Sequence, residues 1–139
     1  MVHNLQYYIN SFYSGKYDNA RVLSQLCHDI AYVKDNKQID AIYNNFKNKP
    51  DFSSLSKINN EYAINIACIV EDFCVTNNLL IPNWVNDPEF FSDGLYPNTI
   101  LNLFNGYSKS EDVLAALREE AHPICLRHGY YSPKPIDCV

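Results

Sequence analysis

Apolar residues recur at three- and four-residue steps through most of the chain, the period of helices that bury one face. Leu5, Tyr8, Ile9 and Phe12 predict a first short amphipathic helix that stops by Gly15. Asp18 is placed to cap a second, whose apolar face is Ala20, Leu23, Leu26, Cys27, Ile30 and Val33 and whose outer face is Arg21, Gln25, Asp29 and Lys34. Ile39, Ile42, Tyr43 and Phe46 repeat the pattern more weakly up to Pro50, because the residue before a proline avoids the helical region. Over residues 57–76 the stripe of Ile58, Tyr62, Ala63, Ile66, Ile69, Val70, Phe73 and Cys74 is widened by Ala67 and Cys68. That width predicts a central helix buried over much of its circumference, ended by Asn77 and Asn78, since Asn tolerates the left-handed C-terminal position.

Beyond it the pattern changes. Pro82, Pro88 and Pro97 interrupt a stretch containing Trp84, Phe90, Phe91 and Tyr96, which predicts short helical turns and loops pinned by aromatic anchors. A brief helix ending at Gly106 follows, then a stronger one capped by Ser110 with Val113, Leu114 and Leu117 inward. Pro123 breaks the pattern, and the last residues read as an extended tail. A chain of 139 residues is long enough for one proper core. The expectation is a single mostly all-α domain over residues 1–139: a helical bundle around a central buried helix, an irregular Pro-rich aromatic segment and an extended C-terminal tail.

Charge narrows the partners. The formal net charge of -5, with Lys and Arg scattered, gives no basic face for a phosphate backbone and argues against nucleic acid. No apolar run approaches the ~20 residues that span a bilayer, and MVHNLQYYINSF lacks the basic start of a secretory leader. The expected place is the cytoplasm, without membrane contact. Five cysteines at irregular spacing suit reduced thiols, and Cys27, Cys68 and Cys74 fall in apolar helical patterns as core filler.

The densest candidate chemistry is the C-terminal H-x2-C-x2-H-x9-C of His122, Cys125, His128 and Cys138. Zinc accepts all four ligand types, but well-specified modules pair ligands on a turn, whereas Pro123 separates the first two and His128 abuts Gly129. A structural tail needs fewer coincidences: Ile124, Cys125 and Leu126 inward, Arg127 and His128 in water, Gly129 at a bend, Tyr130 and Tyr131 beginning the tail. A Cys/His nucleophile requires an orienting third group, normally brought from a distant segment. With no G-x-S-x-G, P-loop or HExxH, the expectation is a non-enzyme without cofactor or metal, the alternative being a zinc-stabilised domain or small metalloenzyme built on that cluster. His28 reads as a helix-surface histidine, and Glu71 with Asp72, Glu111 with Asp112, and Glu119 with Glu120 as solvated faces.

Eleven tyrosines, seven phenylalanines and Trp84 exceed what a core of this size needs, and aromatic residues are effective interface anchors. Trp84, Phe90 and Phe91 are first expected to clamp the Pro-rich segment onto the central helix, and second to touch a partner. Together with Arg127, Tyr130 and Tyr131 they form the candidate partner-binding set. Tyr7, Tyr8, Tyr13, Tyr17, Tyr107, Tyr130 and Tyr131, whose hydroxyls tolerate water, are the expected surface tyrosines.

The order of NEYAINIACIVEDFCVTNNLLIPNWVNDPEFF and, much later, HPICLRHGYYSPKPIDCV resembles small prokaryotic proteins that act as antitoxin partners of nucleotidyltransferase-type toxins of the AbiEii-like class. The matching positions are Pro82, Trp84, Pro88, Phe90, Phe91, Pro123, Arg127, Gly129, Tyr130, Tyr131, Ile136 and Val139, and SFYSGKYDNARVLSQL matches the family's first two helices. The chain departs from the pattern at Cys125 and Leu126, where the family has a large apolar residue, and at Pro133 and Pro135. The resemblance implies a non-catalytic protein that neutralises a co-encoded toxin by direct contact, its acidic surface suited to a basic cleft. A standalone oligomeric scaffold is the remaining alternative.

Overall fold

The computed structural model describes residues 3–12, 16–35, 38–53, 60–94 and 111–132. These form six α-helices and two 3-10 turns, with no strand among the described residues: α1 (Leu5–Ser11), α2 (Lys16–Asp35), α3 (Ile39–Phe46), α4 (Asn60–Thr76), the turns Asn83–Asn86 and Pro88–Phe90, α5 (Glu111–Glu120) and α6 (Pro123–Arg127). The fold is all-α, as the periodicity predicts. None of these helices is long and apolar enough to cross a membrane.

α1 starts where Asn4 accepts a hydrogen bond from the Tyr7 amide at 3.0 Å, a side-chain N-cap. Leu5, Tyr8 and Ile9 bury against Leu23, Leu26, Cys27 and Ile30 of α2 and Ile42 and Phe46 of α3. Tyr8 is a correction to the surface tyrosines, being 1% exposed, with its hydroxyl donating to Asp29 at 2.5 Å. Burial and that bond push its phenol pKa up, so it stays a donor. α2 begins at Lys16, which puts Asp18 inside the helix rather than at its cap.

α4 is the centre of the molecule. Every residue from Glu61 to Glu71 is buried, so the helix is enclosed all round rather than on one stripe. Its end is a Schellman motif: the Leu79 amide donates to the Cys74 carbonyl at 2.8 Å, the Asn78 amide donates to Val75 at 3.3 Å, and Asn78 takes the positive φ of 57°. Leu79 packs on the main core beside Cys74, the hydrophobic contact that accompanies this cap.

The turns that follow close the main core. Trp84, Phe90 and Phe52 meet ring to ring at 4.9 to 5.9 Å, and the Trp84 indole donates to the Phe46 carbonyl at 2.9 Å, tying the segment to the end of α3. Trp84 and Phe90 share the main core with the apolar residues of α4, whereas Phe91, expected in the same clamp, is 36% exposed. The predicted cap Ser110, the brief helix before it and residues 133–139, with Cys138, Ile136 and Val139, lie outside the described residues, as do Tyr13 and Tyr107.

Candidate functional site

The two faces of α4 do different work. Tyr62, Ala63, Ile66, Ile69, Val70 and Phe73 belong to the main apolar core, whereas Ile64 and Cys68 belong to a second cluster with Ile124, Cys125 and Tyr130. Glu61, Ile64, Cys68 and Glu71 are spaced by three, four and three residues, one stripe along the helix. On that stripe sits the segment 122–132.

Residues 122–129 of that segment are a short helix and a turn, and the extended tail expected from Tyr130 onward falls mostly on residues 133–139, outside the described residues. Pro123 opens a helix instead of ending one: it occupies the first helical position, where no amide is needed, and His122 caps it by accepting from the Ile124 amide through Nδ1 at 3.2 Å. The five-residue α6 brings Ile124 and Cys125 inward, while Leu126 is 42% exposed, contrary to the inward reading. Gly129 then turns the chain at φ 73°, and a Cβ there would lie 1.7 Å from the Ser92 carbonyl oxygen. Only glycine permits both that conformation and that approach. The close passage is fixed by the Ser92 amide donating to the His128 carbonyl at 2.9 Å.

His128, expected in water, is fully buried, and Glu71, expected on a solvated face, is 4% exposed. They are buried together because each satisfies the other. Arg127 donates through Nε to Glu71 at 3.2 Å and through Nη2 to the other carboxylate oxygen, and His128 Nε2 lies 2.9 Å from that same oxygen. Burial pushes the Glu71 carboxyl pKa up, but the hydrogen bonds from His128 and Arg127 and their charges outweigh it and hold it below the usual glutamate range. The other ring nitrogen, Nδ1, is 2.8 Å from the Phe90 carbonyl, which can only accept, so Nδ1 carries a proton. Nε2 is then satisfied in either state: protonated, it donates to Glu71; unprotonated, it accepts from Arg127 Nη2 at 3.1 Å.

Above this latch lies a surface pair. The Phe91 ring stacks on the His128 imidazole at 4.5 Å with an interplanar angle of 20°, and the Arg127 guanidinium lies 5.4 Å from the Phe91 centroid. Phe91 is 36% exposed and the Arg127 side chain 43%. Of the six candidate partner-binding residues only these two face outward. Trp84, Phe90, Tyr130 and Tyr131 are 7%, 0%, 3% and 8% exposed, and the burial of Tyr130 and Tyr131 also corrects their place among the surface tyrosines. Tyr130 lies 3.4 Å from Glu61 through its hydroxyl, and Tyr131 accepts from Arg118 of α5 at 3.0 Å while its ring lies against Gly94.

Three of the four ligands of the zinc alternative serve separate purposes, His122 capping a helix, Cys125 meeting Cys68 across α4 and α6, and His128 having both nitrogens engaged, while Cys138 lies outside the described residues. The Cys68 thiol pKa is pushed up by its hydrogen bond to Cys125 and by burial, the opposite of the electropositive setting that activates a nucleophile. Among the described residues no group of three or more His, Cys, Asp or Glu could hold a metal ion. His28 is exposed on α2, as expected.

The sequence reading missed Glu71. Its signal was available: a carboxylate on a helix read as buried over much of its circumference requires a cationic partner, and the adjacent Arg127 and His128 could supply one. No protein-family model, curated protein or solved structure matches the chain.

Proposed function

We propose that this protein is a non-catalytic binding module that grips a protein partner through Phe91 and Arg127, and that the partner is a co-encoded nucleotidyltransferase-type toxin. The observation that carries the binding reading is the preorganisation of that pair. Aromatic and arginine side chains dominate the energetics of interfaces. Ordering a flexible side chain at an interface costs about 0.5–1.5 kcal/mol. Here both are already fixed, Phe91 against the buried His128 and Arg127 by two bonds to the buried Glu71. The guanidinium keeps Nη1 without a partner among the described residues, so an incoming carboxylate or carbonyl can take it.

The toxin class is supported by the resemblance and by geometry that makes its two motif segments one unit. Pro82 to Phe91 and Pro123 to Tyr131, far apart in sequence, meet through the Ser92–His128 backbone bond, the Gly129 approach and the Phe91 stack. The net charge of -5 suits a basic cleft on the partner. Co-expression with the product of the adjacent gene tests this reading. Expected are co-purification in a fixed molar ratio and toxicity relieved only at stoichiometric amounts. Absence of association, or relief by substoichiometric amounts, overturns it.

A further inference from the structure

A shallow depression of about 270 Å³ between the start of α1 and the end of α3 is lined by eight residues, five of which, Asn4, Gln6, Asn44, Asn45 and Asn48, carry carboxamides. A carboxamide offers the same donor and acceptor as a peptide group. Gln6 already uses its own in that way: Oε1 accepts from the Asp51 amide at 2.7 Å and Nε2 donates to the Asp51 carbonyl at 3.0 Å, reading both backbone groups of one residue. In an extended chain those two groups point to the same side, and the next residue facing that way is about 6.6–6.8 Å further on. Asn44 and Asn48 are four residues apart on a path still helical at Lys47, a rise of about 6 Å. Asn44, Asn45 and Asn48 make no side-chain hydrogen bond among the described residues. The rim is not cationic, since Lys49 is held by both Asp87 and Glu89.

We infer that this depression binds an extended peptide segment free of acidic side chains, with Asn44, Asn45 and Asn48 pairing with its backbone as Gln6 pairs with Asp51. The site shares no residue with the Phe91–Arg127 pair and does not depend on the proposed toxin partner. The test is a titration of the full chain with acetyl-Gly-Ser-Lys-Ser-Gly-amide, followed through the side-chain amide NMR signals. Saturable shifts at Asn44, Asn45 and Asn48 are expected, with affinity at least about tenfold weaker in the exposed double variant Asn44→Ala/Asn48→Ala, from two lost hydrogen-bonding pairs. An unchanged melting curve for that variant shows that the loss is local. The inference is overturned if no shift saturates, if the double variant binds with wild-type affinity, if glucose produces the same shifts, or if the peptide with Asp in place of Lys binds as well.

Discussion

α4 has two sides, and they are held by different physics. Towards α1, α2 and α3 it meets Leu, Ile, Phe and Trp side chains whose stabilisation is non-directional and scales with the apolar area removed from water. Towards α6 the apolar cluster is small, and the contact rests on Glu71 with Arg127 and His128. Directed charge-assisted bonds fix orientation in a way that apolar burial does not. The apolar side therefore tolerates small shifts, whereas the polar side holds Phe91 and Arg127 in a single geometry, as the proposed binding function requires.

The largest effect is expected on the apolar side. Trp84→Ala removes a ring that is 7% exposed and the donor to the Phe46 carbonyl, and should cost about 3–5 kcal/mol in urea unfolding. Both sides should unfold together, because Trp84 joins the end of α3 to the segment that carries Phe90 and Phe91. A near-neutral result would mean that the aromatic cluster is not the clamp described above.

On the polar side, Glu71→Gln keeps the shape and removes the charge. Breaking a buried pair costs about 3–5 kcal/mol, and with Arg127 43% exposed the expected loss is nearer about 2–3 kcal/mol. Hydrogen exchange should rise in 82–94 and 122–132 before it rises in α1 to α3. Equal acceleration everywhere would abolish the distinction between the two sides.

The reach of sequence reading follows the same division. The apolar side was legible because burial there repeats every three to four residues, which is how α1 to α4 and the Asn78 cap could be placed. The polar side was not, because Glu71, Arg127 and His128 each look solvated until their pairing across more than fifty positions is known. Pro123 misled for a related reason: proline ends a helix from within but begins one at its first position, and only the His122 cap distinguishes the two.

Acid should unlatch the polar side in a defined direction. The Glu71 carboxyl pKa is lowered in the fold, so its contribution is complete above its ordinary value of 4.5 and is lost as pH falls through the lower folded value. Stability measured from pH 6 down to about pH 3 should therefore decline more in the wild type than in Glu71→Gln, whose side chain does not titrate. Parallel curves would contradict the pairing.

The smallest cost in stability, and the most direct test, is Phe91→Ala. With the ring already 36% exposed, the loss should stay near about 1–2 kcal/mol, leaving the domain folded. Leu80→Ala, at a side chain 84% exposed, is the matched control. Titration calorimetry of both variants against the co-purified partner decides the central claim: binding lost in Phe91→Ala and kept in Leu80→Ala is predicted, and wild-type affinity in Phe91→Ala would contradict it.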